Sequence, residues 1–228
     1  MGINRNWVLD FLVPALLVLL AVPQARADDN NIGGTFRWDM VHISSFSPNV
    51  EVFAGGHDSA RANDCVPAGS LNCSKITLTG SGTFEVGDPE DVTGGGTWQT
   101  FDNTGASTGS GTYMVDKLIR FDVAPGKQTN NVIDHIGDGT LTDNRGGLAA
   151  LRIAYSDGSN GVLAVSCHLN GNPPPQGPDA TPATVFEGST ATKGFVDYWN
   201  REAPAPNVDG NRTVFHVLPG REGGEGRD

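Results

Sequence analysis

Apolar and polar residues alternate along much of this chain, and few stretches repeat an apolar position every third or fourth residue. Period two marks strands with one buried face, because successive side chains point to opposite sides of a sheet. In Thr35-Phe36-Arg37-Trp38-Asp39-Met40-Val41-His42-Ile43 the large residues Phe36, Trp38 and Met40 share one parity, and His42 follows at the same parity. Residues 50–62 read as a second, glycine-interrupted strand, and Leu118–Val123 continues a later one. Leu148–Tyr155 and Val162–Leu169 form a hairpin across residues 156–161, with Leu151, Ile153, Tyr155, Leu163, Val165 and Cys167 facing the core. Phe195–Trp199 and Thr213–Leu218 are expected as late strands, whereas 127–147 and 170–182 read as loops.

An internal repeat sharpens the pattern. Gly80-Ser81-Gly82-Thr83-Phe84, Gly94-Gly95-Gly96-Thr97-Trp98 and Gly109-Ser110-Gly111-Thr112-Tyr113 are three copies of G-x-G-T-aromatic, beginning 14 and then 15 residues apart. That spacing suits a strand plus a turn, and the connecting stretches 87–91 and 103–107 have turn composition. The copies are therefore expected as consecutive antiparallel strands. Opposing Phe84 to Trp98 and Trp98 to Tyr113 centres the turns on residue 91 and near residue 105, with the three rings side by side on one face. The glycine row beside them has two readings. It exposes backbone to a ligand, or it relieves the bend where a curved sheet closes. The second is favoured, since repetition on three neighbouring strands is what curvature requires.

The segment from Lys75 to Val123, with these three glycine-threonine-aromatic copies, resembles small secreted bacterial β-barrel proteins without assigned function. More distantly it is similar to barrels of the allene oxide cyclase and dirigent kind. The resemblance covers about a quarter of the chain and implies a barrel. It carries over no catalytic position of either enzyme family.

Composition then places the protein. Arg5, the apolar run 11–22 and the small residues of Ala25-Arg26-Ala27 follow the grammar of a signal peptide cleaved after Ala27. The expected organisation is a signal peptide at 1–27, a barrel domain at 28–219 and a disordered, charged, glycine-rich tail at 220–228. No membrane span is expected after cleavage, and the location is secreted or periplasmic. The chain has 15 basic and 26 acidic residues; losing Arg5, Arg26 and Asp10 leaves 13 against 25, a net charge of −12. So negative a surface opposes nucleic-acid binding, which rests on cationic neutralisation of phosphates. Of three cysteines, Cys65 and Cys73 bracket a short polar loop and are expected as a disulfide, leaving Cys167 as buried packing.

Candidate chemistry is sparse. Fingerprints for phosphate, dinucleotide or zinc binding and for a nucleophile elbow do not occur, so no cofactor or metal is expected. Asp134, Asp138 and Asp143 stand in an acidic loop whose spacing fits no calcium motif, and it reads as a solvated turn. Asn72-Cys73-Ser74 and Asn211-Arg212-Thr213 fit the glycosylation sequon. Of the five histidines, parity places His42 with Trp38 and Met40, and His216 with Val214 and Leu218. The expectation is an all-β chain folded as one antiparallel barrel of about eight strands, with a β-sandwich as the alternative. Its leading function is non-enzymatic binding of a small, partly apolar molecule inside the barrel. His42 and His216 would be the polar contacts there, with Trp38, Met40 and Trp98 the apolar wall. The alternatives are a cofactor-free isomerase or cyclase with an interior histidine as acid/base, and an extracellular scaffold that binds partners by its surface.

Overall fold

The computed structural model of the chain describes residues 34–126, 128, 131–136, 143–169, 181–202 and 210–219. The expected signal peptide at 1–27, the expected tail from 220 and Asp138 lie outside them. Within them the chain is all β, with fourteen strands and no helix. They are β1 (Thr35–Ser45), β2 (Val50–Ala54), β3 (His57–Arg61), β4 (Lys75–Thr79), β5 (Ser81–Glu85), β6 (Asp88–Phe101) and β7 (Ser107–Ala124), then β8 (Val132–Asp134), β9 (Asn144–Tyr155), β10 (Asn160–Cys167), β11 (Gly188–Lys193), β12 (Val196–Tyr198), β13 (Asn200–Arg201) and β14 (Thr213–Val217).

Six of them close a ring. Strand β1 pairs with β5, β5 with β6, β6 with β7, β7 with β9, β9 with β14, and β14 returns to β1, every pair antiparallel. The barrel is thus smaller than the eight strands expected from the sequence. The reason is visible at Gly80. Strands β4 and β5 are one run in one register against β6, but only β5 also pairs with β1, whereas β4 pairs with β3 outside the ring. On the far side β10, β11 and β12 extend the sheet from β9, and β2 and β8 pair in parallel beside the end of β1.

A six-stranded barrel is narrow, and side chains fill it. Phe36, Trp38, Met40, Phe84 and Phe215 are fully buried there. Phe121 brings its ring to 4.7 Å from Phe36, 4.8 Å from Phe84 and 5.1 Å from Phe215, within the range of favourable aromatic pairs. The same core runs on between β3–β4 and β9–β11 through Ile76, Leu78, Leu151, Ile153, Leu163 and Val165.

The repeat does lie on successive strands, and Phe84, Trp98 and Tyr113 are all buried in one core. Their register differs from the expectation. Phe84 opposes Val92, Trp98 opposes Gly111 and Tyr113 opposes Gly96. The first turn is at Val86-Gly87, so β6 already begins at Asp88. Between the repeat strands each ring thus lies across from a smaller residue, glycine for Trp98 and Tyr113, while on their other neighbours Phe84 opposes Phe36 and Tyr113 opposes Tyr155. A Cβ on Gly80 would stand 2.2 Å from the Tyr113 hydroxyl, and one on Gly96 would stand 1.8 Å from the Thr79 carbonyl oxygen. Rings and neighbouring backbone occupy the glycine row, in keeping with the curvature reading.

Cys65 and Cys73 form a disulfide, and Cys167 is free and buried. No helix among the described residues is long and apolar enough to cross a membrane.

Candidate functional site

Of the five residues expected to share an interior site, Trp38, Met40 and Trp98 lie in one buried core, whereas His42 and His216 lie outside it. Trp38 and Met40 are packed inside the ring. Trp98 is 5% exposed, donates Nε1 to the Thr112 carbonyl at 3.1 Å and lies under the Lys193 ammonium at 4.2 Å. His42 keeps the parity of Met40 but sits where β1 has left the ring to pair with β2. It is half-buried, its ring centre 6.4 Å from that of Phe53. His216 is fully buried, on the other side of the sheet from Trp38 and Met40. Phe215 opposes Trp38 and points inward, so His216 opposes Arg37 and points to the outer face. Strand β14 is buried on both faces, which is why the periodicity of Val214, Phe215 and Val217 does not reveal which face is inner.

On that outer face lies a buried polar cluster. Arg37 donates to both carboxylate oxygens of Asp39, at 2.8 and 2.9 Å, and Asp39 is 0% exposed. Burial pushes the Asp39 carboxyl up against the opposing pull of that guanidinium. His216 Nε2 lies 2.7 Å from Asp134 Oδ2, and Asp134 Oδ1 accepts the Ile136 N–H at 2.8 Å. Burial raises Asp134, but hydrogen bonds from His216, Ile136 and Asn144 outweigh it, and its carboxyl ends below its ordinary value. Asp134 is therefore not the solvated turn residue its neighbours suggest. It ends β8 and faces inward with Val132, since Val50 opposes Val132 and Val52 opposes Asp134.

Beside this cluster opens a lateral cleft of about 490 Å³, between the outer face of β1 and β14 and the β2–β8 pair. Its wall is chiefly apolar: Val41 and Ile43 from β1, Val50 and Val52 from β2, Val132 from β8 and Val214 from β14. Most of these belong to a small core of their own with Ile136. The polar lining of the cleft includes Asp134, Asn144, Glu187, His168, Arg212 and Thr213. Both Glu187 oxygens accept backbone N–H groups at 2.6 Å, from Thr213 and from His168. Burial nevertheless pushes its carboxyl up to about 8. Cys167 also lines the cleft, and burial holds its thiol well above its ordinary value, so it stays protonated. None of His42, His216, Trp38, Met40 and Trp98 lines it.

A further carboxyl lies deeper. Asp58 on β3 is 0% exposed and shares the inward face of Ala60, opposite Leu78. Burial raises it to about 7, with Ser189 and the Arg212 backbone as the polar groups acting against that rise. Sequence reasoning missed Asp58, Asn144 and Glu187. The available signal was a charged residue within a strand-like stretch, as at Asp58 between residues 57 and 61. Among the described residues no group of three or more His, Cys, Asp or Glu side chains gathers to hold a metal ion.

Compared with protein-family models, with curated proteins and with solved structures, the chain has no match in any of the three.

Proposed function

We propose that the protein is an exported, non-enzymatic binding protein that takes a small, partly apolar molecule into the lateral cleft. The observation that carries this reading is the cleft itself. It has the volume of a small-molecule site, a valine-rich wall, and a few polar groups at fixed places. The barrel serves as the rigid frame, since its own interior is occupied by aromatic rings. Export to the periplasm or cell exterior is supported by the signal-like start and by the Cys65–Cys73 disulfide, a bond that persists in oxidising compartments.

Glu187 favours one rival. A carboxyl raised to about 8 at a cleft is a fitting acid/base for a cofactor-free isomerase or cyclase. Against that, both of its oxygens hold backbone N–H groups. Such a carboxylate fastens β14 to the end of β10 and is not aimed at a substrate.

The test is native mass spectrometry of protein purified from its own host, alongside Val52→Trp, which fills the cleft. A small bound mass on the wild type that is missing from a folded Val52→Trp variant is the expected result. A bound mass retained by that variant would place the site elsewhere.

A further inference from the structure

The polar groups of the cleft are unequal in what they leave open. Several of its donors are engaged. The Thr213 hydroxyl donates to the Ser166 carbonyl at 2.6 Å, and His168 Nδ1 lies 2.8 Å from the Val185 carbonyl. Arg212 donates to the Gly210 carbonyl at 3.2 Å and rests over the Phe46 ring at 5.5 Å. Arg212, the one arginine among the described residues of the lining, is thus already engaged.

An acceptor, by contrast, is left over. Asn144 is 3% exposed, and its side-chain oxygen meets no hydrogen-bond donor. The amide orientation is not arbitrary. Asn144 is among the groups that hold the Asp134 carboxyl down, and an ionised carboxylate only accepts, so Asn144 can act on it only through its amide nitrogen, which leaves its oxygen unpartnered. A buried acceptor without a donor costs free energy, and folded proteins satisfy nearly all of them. Asp134 beside it holds Ile136 N–H on one oxygen and His216 on the other, and a carboxylate has about four lone-pair sites to offer. An unfilled acceptor next to a carboxylate, both lining a valine-walled cleft, calls for a donor that carries positive charge and an apolar body.

Resting on the cleft being the binding site, we infer that its ligand is an amphipathic amine, with the ammonium at Asp134 and Asn144 and the hydrocarbon along Val41, Val52, Val132 and Val214. The net charge of −11 for the whole chain attracts such cations at long range.

Three probes of equal chain length separate the terms: octylamine, octanol and octanoate, each titrated calorimetrically into the full mature protein near pH 7. Octylamine is expected to bind at least tenfold more tightly than octanol, and octanoate more weakly than octanol. In Asp134→Asn, and in Asn144→Leu if it folds by circular dichroism, the octylamine-to-octanol ratio is expected to fall to within about threefold of one. Octanol equal to or tighter than octylamine in the wild type overturns the amine assignment and leaves the cleft reading standing. A folded Asp134→Asn variant that keeps the wild-type ratio overturns it as well. Binding of no octyl probe at all overturns the cleft reading, and this inference with it.

Discussion

Replacing Asp58 by asparagine isolates the electrostatic cost of a buried carboxylate. Asp58 is 0% exposed, among Ala60, Ile76 and Leu78 on the inward faces of β3 and β4. Its carboxyl rises from an ordinary value of 3.8 to about 7 because burial penalises the charged form. The native state therefore holds a proton that the unfolded chain releases near pH 4. Stability attached to this group is fully present below about pH 4 and falls as pH rises towards 7, where the native carboxyl also ionises. A shift of about three units at roughly 1.4 kcal/mol each sets a ceiling of about 4 kcal/mol for that loss. An asparagine side chain has the same shape and no charge. Urea unfolding of both proteins near pH 4 and near pH 8 is the assay. Similar stability is expected at the acid end, and Asp58→Asn should be more stable by about 2–4 kcal/mol at the alkaline end. The subtraction removes the general self-repulsion of an acidic protein, which is common to both. A difference that changes by less than about 1 kcal/mol between the two pH values would refute the burial argument.

Further outcomes follow from packing and covalent structure. Trp98→Ala removes a nearly buried ring packed edge-on to Tyr155 at 5.7 Å, and should cost about 3–5 kcal/mol in chemical denaturation. Gly96→Ala would drive a methyl against the Thr79 carbonyl at 1.8 Å and should destabilise by more than about 1 kcal/mol, whereas Gly105→Ala meets nothing within 4 Å and is strained only by its positive φ of 86°. Reduction of Cys65–Cys73, eight residues apart, should lower stability by about 2–3 kcal/mol, read as a shift of the urea midpoint with and without reductant.

How much of this was legible depended on whether one strand face is wet. Phe36, Trp38 and Met40 of β1, and Leu151, Ile153, Leu163 and Val165 of β9 and β10, each keep one parity along their strand and are all buried as that parity requires. Strand β14 is dry on both sides, so the outward aim of His216 had no periodic signal. The first repeat hairpin misled for another reason. Asp88-Pro89-Glu90-Asp91 has turn composition, yet it is the exposed start of β6 opposite the end of β5, where a proline is tolerated. Consecutive glycine-rich strands announced curvature but not the number of strands, because Gly80 divides one run between the ring and its flank. The His216–Asp134 contact joins residues 82 positions apart, and the sequence marks neither as the other's partner. Cys65 and Cys73 were legible because short loops leave little choice of pairing.

The most direct test of the central claim is to locate a bound probe in solution. Backbone and methyl NMR spectra of isotopically labelled protein, titrated with octylamine and separately with octanol, report where each molecule sits. Shift changes concentrated at Val41, Val52, Val132, Val214 and Leu169, with Phe36, Trp38, Phe84 and Phe215 unmoved, are the predicted result. Changes centred on the residues inside the ring, or none at saturating probe, would contradict the account.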